Sequence, residues 1–410
     1  MYSNRAILAQ PRRHAKSAPA TQAVAAFSAR TIILILLAVG LFYLLVVGLR
    51  IRSYSGNISA LIDIGEWNIT HQQRFIGPHV VVFRVPTGYD GVAYYLVAGD
   101  PFLRHPAIRE PFRYQRIGYP LAVWAISLGR LAWRPYAMAG INLVATLAIA
   151  VLCVFLLTEF APGASPWWAL AGVINPALII GVEYDLAEPM VFALSLGALL
   201  LYLRRRVGLS ALAFAAALLT REVAILFLLP IVAAEVAARR WRHSILLCLS
   251  VGPYLLWQAV LIRTFGNAGT GTSEGNLGAP LAGIAFTLRE ALHASLRSAL
   301  AHQGIIIALV VFVVAVLVVS LMQLRRRYDV VVGGAAVHAA VALLGAAGIW
   351  TDYLAAARVF GGMYPLTLLA WARYRTRGFY AITAASILIT LYTFFRLVAF
   401  SKALPYYLTP

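Results

Sequence analysis

Charge is scarce in this chain, and lysine is almost missing. Only 12% of 410 residues are charged against 61% hydrophobic, and the mean hydropathy is +0.80. Soluble domains carry about twice that share of charge, so the soluble class is excluded. Acids number 15, and of 34 basic residues all but Lys16 and Lys402 are arginine, giving a formal net charge of +19. Cysteine is limited to Cys153 and Cys248, both inside apolar runs, which excludes a disulfide framework and a thiolate metal site. No polar low-complexity stretch follows the first 25 residues, so disordered and fibrous classes fall away. Neither a GxxxxGKS/T loop nor a GxGxxG opening a helix is present, and the histidines show no HxxxH or HExxH spacing. No nucleotide cradle and no metal site is expected. The pI of 10.4 invites nucleic acid as a partner, but the arginines stand in short clusters at the ends of apolar runs. Membrane topology accounts for them better, and nucleic acid is set aside.

What the chain has is apolar runs long enough to cross a bilayer. Residues 1–30 carry Arg5, Arg12, Arg13, Lys16 and Arg30 with no acid, and 31–49 form an uncharged run of 19 residues. That run is too long for a signal-peptide core and no small-residue cleavage site follows it, so a cytosolic basic tail and a retained first span are expected. Ten further runs lie at about 136–158, 166–182, 188–203, 208–220, 223–237, 244–263, 304–324, 331–349, 356–372 and 378–396. Basic clusters stand between them at Arg204–Arg206, Arg239–Arg242, Arg325–Arg327 and Arg373–Arg377. If short basic loops face the cytoplasm, all four share the side of the N-terminus.

That condition settles two ambiguous stretches. Residues 207–238 join two basic clusters and must cross an even number of times; one straight helix would be roughly 48 Å long, whereas a hairpin of two short arms fits a bilayer. Its turn falls at Thr220–Arg221–Glu222 and should lie below the outer surface. The mildly apolar stretch 117–133, with Pro120, Trp124 and Arg130, is then a re-entrant or interfacial helix. The expected fold is an all-α polytopic membrane protein of about eleven transmembrane helices, a single domain over 31–400 after the tail 1–30. A first outer loop spans 50–135, a second 264–303, and the C-terminus is short and outside. On this topology only Glu159, Glu235 and Asp329 of all the acids face inward.

The inner side offers only short loops, so chemistry belongs outside. The first outer loop holds Thr87–Gly88–Tyr89–Asp90–Gly91, then Tyr94–Tyr95, and Arg113–Tyr114–Gln115–Arg116. A glycine-flanked acid before an aromatic helix is either a carboxylate within reach of a ligand or a helix N-cap, and both readings stand. On the same face lie Glu183, Asp185 and Glu188, the turn residues Arg221 and Glu222, and the pair Asp352 and Arg358. Loop charges need no special role, but adjacent ionisable groups at membrane depth must pair or bind something. In the second outer loop a Gly-rich segment precedes Ile284, Leu288, Leu292, Leu296 and Leu300, with Arg289, Glu290, His293 and Arg297 off that stripe. The period predicts an amphipathic helix on the outer membrane surface, either a lid over a lipid substrate or a plain connector.

A first span, a long outer loop with an early acid and a Thr-Arg-Glu turn midway resemble the GT-C superfamily of membrane glycosyltransferases. More narrowly, YDGVAYYLVAGDP and RYQRIGYPLAVW resemble bacterial membrane proteins of cell-surface glycopolymer formation. The resemblance covers roughly residues 30–400 in organisation, on short motifs. It implies a glycosyltransferase of the bacterial inner membrane, its site facing the periplasm or exterior. Such an enzyme takes a sugar from a polyprenyl-phosphate carrier and passes it to a glycan, lipid or protein acceptor, without cofactor. The family's loop acid matches Asp90, the implied general base of an inverting transfer. Arg116, Arg221 and Arg358 are the implied phosphate clamp, and Glu183, Asp185 and Glu222 would orient them or bind sugar hydroxyls. Tyr89, Tyr94 and Tyr114 would offer stacking faces. Tyr89 stands where some members carry a second carboxylate. A lipid-linked sugar transporter or flippase would predict internal repeats and helices interrupted in matching halves, and the sequence signals neither. A noncatalytic subunit that only binds the carrier is the third reading.

Overall fold

A backbone in lipid must satisfy its own hydrogen bonds, and the α-helix does so within one segment. The computed structural model of this chain describes residues 28–268, 276–293 and 303–409 and is 74% helical. The basic tail before residue 28, residues 269–275 of the Gly-rich segment, Leu296, Arg297 and Leu300 lie outside the described residues. Among the described residues five helices are long and apolar enough to cross a membrane: Ala29–Arg52, Leu131–Phe160, Trp241–Phe265, Gly304–Arg326 and Arg377–Ala399. The bent pair Pro166–Val173 and Pro176–Glu183 makes a sixth if taken as one span, and shorter apolar helices run over Glu188–Leu203, Val207–Thr220 and Val330–Ala342. The chain is a mostly helical, polytopic membrane protein.

Three runs expected as single spans are broken instead. The run 166–182 bends by 55° at Asn175–Pro176. Proline disfavours helical backbone in the residue before it, and extended Asn175 caps the second helix, its side chain accepting from Leu178 N–H at 3.1 Å. The run 331–349 stops as a helix at Ala342, and 356–372 is interrupted between Arg358 and Met363 around Gly361–Gly362. The stretch 117–133 forms a ten-residue helix, Gly118–Ser127, ended by left-handed Leu128 and Gly129. At about 15 Å it is too short to span.

The stretch 207–238 does return on itself. The helix Val207–Thr220 ends at extended Arg221, one tight turn covers Glu222–Ala224, and the helix Ile225–Ala237 follows. Arg221 pairs with Glu188, the first residue of the helix Glu188–Leu203, while Glu235 accepts from Tyr202 near that helix's far end at 2.6 Å. The two arms therefore run out and back along one neighbour.

The same contacts sort the charges by end. Glu159 accepts from Arg204 at 2.8 Å, Arg373 donates to the Phe160 carbonyl at 2.8 Å, and Asp329 accepts from Tyr374 at 2.8 Å. Glu235 also accepts from Arg240 at 3.2 Å. All four arginine clusters thus meet at one end of the bundle with Glu159, Glu235 and Asp329, the three acids assigned to that side from sequence.

At the other end a small sheet departs from an all-α chain. β1 (Ile64–Gly65), β2 (Val81–Phe83) and β3 (Tyr406–Leu408) lie in the order β1-β2-β3. β1 pairs in parallel with β2, Ile64 facing Val82, and β3 runs antiparallel to β2, Tyr407 facing Val82. Strands of two or three residues carry no readable alternation, and the partners stand at opposite ends of the chain.

Candidate active site

The helix Asp90–Val97 starts where two glycines let it press against backbone. A Cβ on Gly88 would stand 1.7 Å from the Asp63 carbonyl oxygen, and one on Gly91 2.3 Å from that of Tyr184. The glycines on either side of Asp90 thus seat it between the segment around Asp63 and the turn before Glu188. Tyr89 holds the N-cap position and its side chain makes no cap bond. The Asp90 carboxylate does not cap the helix either. It accepts from Arg113 Nη1 at 2.7 Å and from Arg358 Nη2.

Arg358 ties the site together. Its Nη1 donates to Glu188 Oε1 at 2.6 Å, its Nε donates to the Tyr89 hydroxyl at 3.1 Å, and that hydroxyl donates to Asp352 Oδ2 at 3.4 Å. Arg221 Nη1 donates to the same Glu188 oxygen. Beside this group, Arg116 grips Glu222 with two donors, Nη2 at 2.6 Å and Nε at 3.0 Å, and its Nη1 donates to the Tyr94 hydroxyl at 3.5 Å. Tyr94 stands edge-on to Tyr119 and Tyr89 packs on Tyr184. Arg221 and Glu222, adjacent in the turn, therefore do not pair with each other.

Burial divides the site into a floor and a rim. Arg221, Arg358 and Glu188 are sealed, whereas the side chains of Asp90, Arg113 and Glu222 keep 24%, 33% and 33% of their surface open. Burial would push the Asp90 carboxyl up, but Arg358 first, then Arg113 and Arg116, outweigh it and hold the group well below the usual carboxylate range. In this state Asp90 is an anion and a feeble base. Arg221 Nε is buried without a protein acceptor.

Of the residues singled out from sequence, Asp90, Tyr89, Tyr94, Arg116, Arg221, Arg358 and Glu222 come together here. Tyr114 does not: it is fully buried in a packing cluster with Val97, Ile117 and Leu261, its hydroxyl accepting from Ala107 N–H at 3.2 Å. Glu183 and Asp185 are also sealed and pair with none of Arg113, Arg116, Arg221 and Arg358, Asp185 accepting from Asn142 at 3.3 Å. Sequence reasoning left Arg113 and Glu188 out of the site. Arg113 ends up at the site from the short helix Pro111–Tyr114 and Arg116 from the turn after it, and the clustering of the two arginines in Arg113–Tyr114–Gln115–Arg116 was the signal that could have found Arg113. Among the described residues no three His, Cys, Asp or Glu side chains are grouped to hold a metal ion.

No family model, curated protein or solved structure matches this chain. A lateral apolar groove of about 520 Å³ is lined by Ala122, Ile126, Gly140, Val144, Met190 and Leu194. Its lining comes from the helices Gly118–Ser127, Arg134–Phe160 and Glu188–Leu203.

Proposed function

We propose that this chain is a GT-C-like glycosyltransferase of the bacterial plasma membrane, acting at the outer face on a polyprenyl-phosphate-linked sugar. The observation that carries the reading is the convergence of four arginines, from three separate parts of the chain, on Asp90, Glu188 and Glu222. The site stands at the end of the bundle opposite the basic clusters. Eleven crossings, with the tail and clusters inside, fit that polarity. The apolar groove suits an isoprenoid tail and the guanidinium floor suits its phosphate.

The chemistry follows from charge. A donor phosphate entering the floor offers its oxygens to Arg221 and Arg358, in competition with Glu188 and Asp90. Asp90 loses a guanidinium and regains basicity. It then takes the proton of an acceptor hydroxyl as that oxygen attacks the anomeric carbon. The bond from that carbon to the phosphate oxygen breaks, the configuration inverts, and polyprenyl phosphate leaves as an anion held by the arginines. Tyr89 and Tyr94 border the space a sugar would fill, and Glu222 fixes Arg116. The acceptor is a glycan, lipid or protein hydroxyl.

A second reading has one observation in its favour. The broken spans at 174–175 and 359–362 are interrupted helices of the kind that transporters use, so a lipid-linked sugar flippase is the rival. The two separate in one experiment. Protein reconstituted in vesicles is given a panel of polyprenyl-phosphate sugars and an acceptor mixture, and free polyprenyl phosphate is measured. Release is expected, and Asp90→Asn should lower it by about 10²–10⁴-fold while donor binding persists. Movement of intact donor across the bilayer without release would establish the flippase, and donor binding with neither outcome would leave a noncatalytic carrier-binding subunit.

A further inference from the structure

Three carboxylates crowd the turn between the helices Pro176–Glu183 and Glu188–Leu203, and the fold treats them differently. Glu188 is shared by Arg221 and Arg358. Glu183 has the Arg50 guanidinium in its electrostatic reach. Asp185 has neither: among the described residues it makes no ion pair, and its one hydrogen bond comes from the Asn142 side chain, Nδ2 to Oδ1 at 3.3 Å. Asp185 and Asn142 are both fully buried.

The donors around this pair are all spent. Asn142 Nδ2 uses one hydrogen on Asp185 and the other on the Tyr119 hydroxyl at 3.0 Å, while that hydroxyl donates to the Met138 carbonyl at 3.3 Å. Two acceptors are left with nothing, Asn142 Oδ1 and Asp185 Oδ2. These are the amide's oxygen and the acid's second oxygen, on two planar groups already joined by one hydrogen bond. An ionised Asp185 would bury a lone charge beside an amide oxygen, an arrangement costly on both counts. A single proton on Oδ2 turns that oxygen into a donor for Asn142 Oδ1 and closes a two-bond ring between acid and amide.

We propose that Asp185 is a proton-binding site, a neutral carboxylic acid at physiological pH that clasps Asn142 of the helix Arg134–Phe160 through a paired acid–amide hydrogen bond. The clasp holds a strained turn. Asp185 has a left-handed φ of +46°, uncommon for a residue with a side chain, and the turn carries Tyr184 against Tyr89 and Glu188 under the arginines. Protonation at 185 thereby sets how firmly the floor of the charged cluster is seated, whatever reaction the cluster performs. The titratable group facing Asp185 is Tyr119 from the helix Gly118–Ser127, which also has Glu188 in its electrostatic reach, and Asn142 is the facing group from the helix Arg134–Phe160.

Burial raises the Asp185 carboxyl well above its ordinary value. The stability it contributes is therefore complete at low pH and is lost as pH climbs through the folded-state value. Asp185→Asn replaces the acid by an amide that can close the same ring at every pH. Protein in lipid nanodiscs should show, at neutral pH, an infrared band of a protonated carboxyl that vanishes in Asp185→Asn and shifts in Asn142→Leu. The wild-type melting temperature should fall between about pH 6 and about pH 9 more steeply than that of Asp185→Asn. No band lost at neutral pH, or equal slopes in the two proteins, overturns the proposal. So does a sodium-dependent rise in wild-type melting temperature that the variant lacks, which would put a metal cation where the proton is placed.

Discussion

Arg221 and Arg358 reach the same oxygen of Glu188, and this sharing decides what each ion pair is worth. A carboxylate with no surface open to water and two guanidiniums against it cannot be neutralised without leaving two cations face to face. Breaking a buried pair of this kind costs about 3–5 kcal/mol, because the surviving charge has no other partner. Exposed pairs behave otherwise. Glu110 lies 3.7 Å from Arg113 with 69% of its side chain open, and such contacts are worth less than about 1 kcal/mol. Glu188→Gln should therefore lower unfolding free energy in detergent by about 3 kcal/mol or more, and Glu110→Gln by less than about 1 kcal/mol. Equal losses in the two variants would mean that the shared oxygen does not anchor the site. Residues differ in how plainly the sequence announces them. Asp90 is legible because two glycines flank it and an aromatic helix follows. Glu188 is not, since whether a loop acid is solvated or sealed depends on neighbours far off in the chain. Tyr114 shows the converse, a tyrosine beside site arginines whose ring turns wholly into packing.

At the scale of elements, two devices lay beyond reach of hydropathy. One is the break at Asn175–Pro176, where both residues were visible but the apolar run read straight through them; local chain stiffness overrides composition there. The other is the three-stranded sheet, which fastens the end of the described chain onto the segment around Val81–Phe83. Thr409 donates to the Gly77 carbonyl at 2.9 Å and accepts from Val80 N–H at 2.8 Å, and Leu404 N–H donates to Tyr54 at 3.2 Å. Pairing of β3 with β2 adds backbone bonds to these. Each is worth about 1 kcal/mol net, so together they govern how often the loop leading to Asp90 opens. Truncation after Ala403 should leave the helical bundle inserted yet speed limited proteolysis between residues 72 and 88 by at least about tenfold. An unchanged cleavage rate, with the truncated protein still inserted, would show that the strand is ornament rather than strap.

For the whole molecule the arginines carry the most information per residue, because they obey a rule about sides and not about partners. Their clusters predicted one end of the bundle, and contacts such as Arg204 with Glu159 and Arg240 with Glu235 bring them there together. The helix Glu188–Leu203, 16 residues long, separates that end from the site; at about 1.5 Å per residue this is about 24 Å, close to the depth of a hydrocarbon core. The charged cluster and the basic clusters thus face opposite waters if the bundle stands upright in a membrane. With Cys153 and Cys248 replaced by alanine, single cysteines at exposed Arg104 in the first loop and exposed Arg205 in a basic cluster report each face separately. In intact cells a membrane-impermeant maleimide should label Arg104→Cys and spare Arg205→Cys until the membrane is permeabilised. Labelling of both without permeabilisation, or of Arg205→Cys alone, would break the link between basic clusters and cytoplasm. It would also move the arginine-lined site away from the leaflet where a lipid-linked sugar is proposed to be used.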